Sequence, residues 1–264
     1  GVTRAAALAK QADVVILCLG NHPMQVAREC YDRPDLELPA HQKNLLRAVQ
    51  AANPNTVLTV VSSYPYALGE AKELLPAILY TTHAGPELGN AVADTLLGKN
   101  NPAARCPITW YRSAQDLPDI MEYDIISAER TYLYDTVEPL FPFGHGLSYS
   151  NFVYRDFTAE EKPEGMLFRL TVENTSQRDG DEVVQLYLRD EVSSVTTYTQ
   201  VLRGFERITL KPEASHTVHF ELTPQELGIW DKQMNFTVEP GMFKVMIGSS
   251  SKDIRLKGEF EIAQ

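Results

Sequence analysis

No run of apolar residues approaches the ~20 needed to span a bilayer, no basic stripe is present, and no two cysteines stand close together. Cys18, Cys30 and Cys106 are the three in the chain and form no C-x-x-C pair. That spacing argues against a disulfide framework, a zinc site or a redox couple. Lysine and arginine number 24 against 35 acidic residues, and the resulting net charge of −11 is spread along the chain without an acidic tail. Nucleic acid and anionic membrane surfaces are therefore excluded as expected partners. Gly1 to Lys10 lacks the apolar centre of a signal peptide, so the expectation is a soluble protein, cytoplasmic rather than secreted. There is no internal repeat and no low-complexity segment. What is present is 264 residues, 44% of them hydrophobic, enough for two domains with a core in each.

The first part of the chain alternates strands with helices. Ala5 to Gln11 has helical composition, and Asp13 to Gly20 is a continuous apolar run that reads as a buried strand, with Cys18 a small buried hydrophobe. Pro39 opens a helix to Ala52 with Leu45, Leu46 and Val49 on one face, and N-P-N closes it before the run Thr56 to Ser62. Tyr66 to Leu75, Ala77 to Thr81 and Glu87 to Leu97 repeat the pattern as helix, strand and helix. Such alternation implies a parallel sheet whose functional groups lie on loops after the strand ends, here residues 20 to 38, 62 to 66 and 82 to 87. From about Asn151 the pattern changes to short alternating strands: Met166 to Glu173, Glu182 to Arg189, Gln200 to Leu210, Ser215 to Leu222, Asn235 to Val238, Gly241 to Ser249 and Ile254 to Ile262. Seven strands at that spacing predict an antiparallel sandwich of the immunoglobulin or fibronectin kind. The expected fold class is thus an α/β layered sandwich with a partial, mostly parallel sheet, followed by an all-β fibronectin III-like sandwich. The expected domains are 1–150 and 151–264.

The chemically richest segment is the loop of residues 20 to 39, which gathers Arg28, Glu29, Asp32, Arg33, Asp35 and Glu37. The plain reading of those charges is a solvated loop with local ion pairs of small worth; the position after a strand end favours function. His22, His83, Tyr64 and Tyr66 are candidates for sugar-hydroxyl or stacking contacts, although each also fits a packing role. Glu87 suits the first turn of a helix. The aromatic stretch Leu140 to Tyr149 reads as packing, and Trp230 with Asp231 reads as a strand-end anchor.

Several strings together resemble the glycoside hydrolase family 3: D-R-x-x-L-x-L-P-x-x-Q (Asp32 to Gln42), E-L-G-N-A-V-A-D-x-L-x-G (Glu87 to Gly98), N-P-A-A-R-x-P (Asn101 to Pro107), E-R-T-Y (Glu129 to Tyr132), P-L-F-P-F-G-H-G-L-S-Y (Pro139 to Tyr149), G-D-E-V-V-Q-L-Y (Gly180 to Tyr187) and V-E-P-G-M-F-K-V-M-I-G-S-S-S (Val238 to Ser251). The resemblance covers essentially the whole chain. It implies the C-terminal part of a β-glucosidase or β-xylosidase: the family's α/β sandwich domain, beginning inside it, plus the fibronectin III-like domain.

In that family two carboxyl groups retain anomeric configuration, one as nucleophile and one as acid/base. The nucleophile comes from a barrel, and nothing here matches its motif. The resemblance therefore implies an N-terminal barrel portion of the same enzyme as partner, a sheet completed by preceding chain, and a fragment inactive alone. The acid/base is a glutamate just before the D-R pair. The commoner register would place it at Ala27; a subset with G-R-E-x-x-D-R, which A-R-E-C-Y-D-R resembles, places it at Glu29. Asp32 would raise the pKa of such an acid, and Arg28 or Arg33 would lower it. Asp32 and Arg33 are expected to fix the loop as a pair, and Arg28 and His22 to assist in binding. The implied substrate is an oligosaccharide or β-glycoside, with no metal and no organic cofactor, and with a homo-oligomer as a further possibility. A non-catalytic carbohydrate-binding or assembly module is the alternative function. An N-acetylhexosaminidase is disfavoured by the motifs.

Overall fold

The computed structural model describes residues 1–22, 24, 26, 27 and 30–263. The chain divides into two compact units, one made of Gly1–Ala93, Trp110–Pro118 and Val137–Leu140, the other of Asp94–Thr109, Asp119–Thr136 and Phe141–Gln264.

The first unit is built from α1 (Val2–Ala9), β1 (Val15–Gly20), α2 (Ala40–Ala52), β2 (Thr56–Val61), α3 (Gly69–Leu74), β3 (Ala77–Thr81) and the start of α4 (Leu88–Leu96). The strands form a parallel three-stranded sheet in the order β1-β2-β3. Pro39 is the N-cap residue of α2 and Asn53 its C-cap. The buried Asn53 carboxamide donates to the carbonyls of Ala9 (3.0 Å) and Ala12 (2.7 Å), joining the ends of the two helices. Leu17, Leu19, Leu58 and Val60 point to one face and are buried with Leu46 and Val49 of α2.

Two expectations fail here. Tyr66 to Leu68 is buried but not helical, and α3 begins only at Gly69. Ala67 N donates instead to Leu36 O at 2.7 Å, so this stretch is held by another loop rather than by its own turn. The strand β1 is not buried on both faces: Cys18 is exposed and Ile16 is 52% exposed. Right-handed crossovers in a sheet ordered β1-β2-β3 lay α2 and α3 on a single face, which leaves the other side of the edge strand uncovered.

The second unit contains α5 (Thr131–Tyr134), β4 (Phe152–Lys162), β5 (Gly165–Asn174), β6 (Gly180–Asp190), β7 (Val201–Leu210), β8 (Ser215–Leu222), α6 (Pro224–Leu227), β9 (Ile229–Trp230), β10 (Phe236–Thr237), β11 (Gly241–Gly248) and β12 (Ile254–Ile262). Antiparallel sheets β4-β5-β8 and β12-β11-β6-β7 face each other across a core that includes Phe168, Leu170, Leu186, Val218, Val245 and Ile247. The period-2 burial along β5 and β8 is the pattern that made them legible. The first strand, β4, was not among those expected. A register shift between Arg155 and Thr158 breaks its alternation, and its outer half is exposed. The expected strand Asn235 to Val238 shrinks to the two-residue β10, paired with β9 in a separate ribbon.

Residues before 150 are folded into this unit by specific bonds. The Arg105 guanidinium meets Glu182 at 2.5 Å in a buried ion pair. Asn101 Nδ2 donates to Ser150 Oγ and Asp179 O, and Tyr132 stacks on Phe143 at 4.1 Å. Among the described residues no helix is long and apolar enough to cross a membrane.

Candidate active site

Parallel pairing brings the ends of the three strands of the first unit into one row, Gly20 beside Val61 and Val61 beside Thr81. Gly20 has φ +141°, and a Cβ there would fall 1.9 Å from Val61 O. Only glycine allows the backbone to leave β1 so close to β2. The Gln42 carboxamide on α2 clamps the same residue, accepting from Gly20 N (3.0 Å) and donating to Gly20 O (2.7 Å).

The next residue, Asn21, ties the three loops together. Its N–H donates to Val61 O at 3.1 Å, and its Oδ1 accepts from Ser63 N (3.2 Å) and from His83 Nε2 (3.0 Å). Because a backbone N–H already identifies that atom as oxygen, His83 is the donor and carries its proton on Nε2. Ser62 closes the middle loop: its Oγ donates to Tyr64 O at 2.7 Å, and its carbonyl accepts from Tyr80 OH at 2.9 Å.

The loop from residue 20 to 38 is fastened to the segment 64–67 at several points. Tyr64 OH donates to Val26 O (3.2 Å), and Arg33 donates from NH1 to Pro65 O (2.8 Å). The Arg33 guanidinium lies 4.0 Å from the centre of the Tyr64 ring and 5.2 Å from that of Tyr66. Tyr66 is 1% exposed and belongs to the core, and burial pushes its phenol pKa up against the opposing pull of Arg33. Tyr64, half-buried beneath the guanidinium, is likewise a packing residue.

Of the residues singled out in the sequence, Arg33 is committed to the 64–66 segment rather than to Asp32, which is exposed. His22 accepts from Met24 N at 3.2 Å through Nδ1, leaving Nε2 as a donor. It lines, with Cys18, Gly20, Asn21, Val26 and Gln42, an open cleft of about 390 Å³ at the strand ends. Arg28 and Glu29 lie outside the described residues. Asn21 and Ser62 are not marked out individually by the sequence, and His83 fits a binding or a packing role there equally well. The signal for Asn21 was its place directly after a strand-ending glycine. Chemically the strand-end edge offers amide, imidazole and hydroxyl groups suited to hydroxyl-rich ligands.

A family model, the glycosyl hydrolase family 3 C-terminal domain, matches residues 1–149, and a fibronectin type III-like domain matches residues 182–251. The chain belongs to the glycosyl hydrolase family 3 C-terminal domain family. It is 35% identical to a periplasmic beta-glucosidase of Salmonella typhimurium over 277 residues, covering 99% of this chain and 36% of that protein. It is 36% identical to a beta-xylosidase of Formosa agariphila, covering 97% of this chain and 36% of that one. A crystal structure of beta-glucosidase from Kluyveromyces marxianus in complex with glucose superposes with a TM-score of 0.90 at 31% identity, over 100% of this chain and 33% of that chain. The chain thus spans about a third of the length of the relatives it matches.

Proposed function

We propose that this chain contributes the strand-end edge of the active site of a retaining β-glycosidase acting on terminal β-D-glucosyl or β-D-xylosyl residues, with Glu29 as acid/base. The nucleophile would come from a barrel portion that these 264 residues do not include. The observation that carries the reading is the fastening of the 20–38 loop across all three strand ends by Asn21, Tyr64 and Arg33. A proton donor must be held within hydrogen-bond reach of the leaving oxygen, and bonds at Asn21, Val26 and Arg33 fasten the described part of this loop to the neighbouring strand-end segments. In this reading Arg33 holds the loop's shape through Pro65 and Tyr64, and His22 and Arg28 assist in binding the sugar. The relatives named as beta-glucosidase and beta-xylosidase support the substrate class. The division at 150/151 is proposed as the boundary between family domains, with the compact units interleaved across it. A homo-oligomer and a cytoplasmic location are further proposals. The Salmonella relative is named periplasmic, and cell fractionation separates the two compartments.

The test is made in an enzyme that combines this chain with its barrel. The chain alone should not hydrolyse aryl β-glycosides. In the assembled enzyme, Glu29→Gln should slow substrates with poor leaving groups sharply and activated ones much less. Azide should rescue the second step, since a small anion attacks the glycosyl intermediate without a general base. A uniform loss without rescue assigns the proton transfer to another carboxyl group.

A further inference from the structure

The sandwich unit carries a second feature that the strand-end site does not explain. The hairpin β9–β10 pairs Trp230 directly with Phe236, so both rings stand on the same side of the ribbon, their centres 5.5 Å apart and tilted by 60°. The expectation that Trp230 anchors a strand end is not met: it is 59% exposed, against 2% for Trp110. Its partner Phe236 lies against the backbone at Gly228, where a Cβ would come within 2.5 Å of the ring. The turn is held rigid by Asp231, whose Oδ1 accepts from the N–H groups of Gln233 (2.9 Å) and Asn235 (2.8 Å). Leu227, just before the ribbon, is buried in the sandwich core, and Val238, just after it, packs on that core. An exposed aromatic pair on a braced support costs little further ordering when a ligand arrives.

We infer that the Trp230–Phe236 face is a binding site for neutral β-linked glycan chains. The C–H face of a pyranose is apolar and stacks on an aromatic plane, while its edge hydroxyls need hydrogen-bonding partners. The exposed Lys232, Gln233 and Asn235 lie on the turn between Trp230 and Phe236 and carry polar groups of that kind. A protein-docking face would instead present a broader apolar centre. The net charge of −11 disfavours uronate polymers and leaves uncharged chains as the fitting partner. The β-linkage and the choice of β-glucan and xylan probes rest on the proposed function; the exposed aromatic pair itself does not.

The chain has two tryptophans, and with Trp110 buried its emission reports ligands on Trp230. Titration with cellohexaose, laminarihexaose and xylohexaose should give a saturable emission change with at least one of them. Oligogalacturonate should give none. Trp230→Ala should abolish the change, Trp230→Phe should retain binding by calorimetry, and Phe236→Ala should weaken it about tenfold. Arg33→Ala, at the strand-end site, should leave it intact. Amide shifts of residues 231–235 in the wild-type chain give the same answer should Trp230→Ala fold poorly. No saturable change with any glycan, or a change that survives loss of Trp230 and vanishes with Arg33→Ala, overturns the inference while leaving the strand-end proposal standing.

Discussion

The guanidinium of Arg33 meets a carbonyl at one nitrogen and an aromatic face over its plane. Lysine cannot do both at once, because its charge is a compact, solvated point. Losing the hydrogen bond and the cation–π contact together should destabilise the first unit by about 1–2 kcal/mol. Arg33→Ala should therefore speed amide exchange at Ala67, whose N–H is bound to Leu36 O on the same loop, and Arg33→Lys should recover less than half of the protection. The pair Arg105–Glu182 is a different case, since Glu182 is 3% exposed and Arg255 lies 4.0 Å from its other oxygen. Removing one member leaves a buried cation uncompensated. Glu182→Ala is expected to cost about 3–5 kcal/mol in urea unfolding of the sandwich unit, whereas the combined Arg105→Met, Glu182→Leu replacement should recover most of it.

Strand ends decide where the candidate site lies, and the end of β1 depends on one residue without a side chain. Gly20→Ala would place a methyl group inside Val61 O in a backbone conformation that L residues rarely adopt. A strained φ alone costs about 1–3 kcal/mol, and the clash adds to it. The expected result is a loss of about 3 kcal/mol or more, read as lost amide protection along β1 and β2 with the sandwich amides unchanged. At this scale the elements differ in how openly the sequence declares them. The strands β5, throughout, and β8, from Val218 onward, alternate in burial and were legible. The strand β4 was not, because its register shift breaks the period and its outer half is exposed. The stretch before α3 has helical composition, yet its bond to Leu36 outcompetes a first helical turn.

Across the whole molecule, carboxyl groups paired in the folded state control the response to acid. The hydrogen bond from Arg47 lowers the pKa of Glu70, and bonds from Lys162 and Arg169 bring that of Glu160 down to about 2 from 4.5. Bonds from Ser194 and from the Asn235 N–H lower Glu239 and Asp231. Each such group binds protons more weakly folded than unfolded, so its stabilisation is present above the unfolded pKa and is lost as pH falls toward the folded one. Asp190 runs the other way, raised by burial, and offsets part of the loss. The melting temperature should therefore hold steady down to about pH 5 and fall from there toward about pH 2. High salt should flatten the part due to the exposed pairs of Glu160, and thermal scans across that range check both statements. The order of elements, the parallel start, the antiparallel end and the loop that carries the candidate acid/base were determined by the sequence, because periodicity, turn residues and strand-end position are local properties. The open face of β1, the commitment of Arg33 to Pro65 and Tyr64, the burial of Arg105 against Glu182 and the exposure of Trp230 were decided only by the tertiary structure. Each depends on which residues distant in the chain come to lie alongside and on which side of a sheet its crossovers fall.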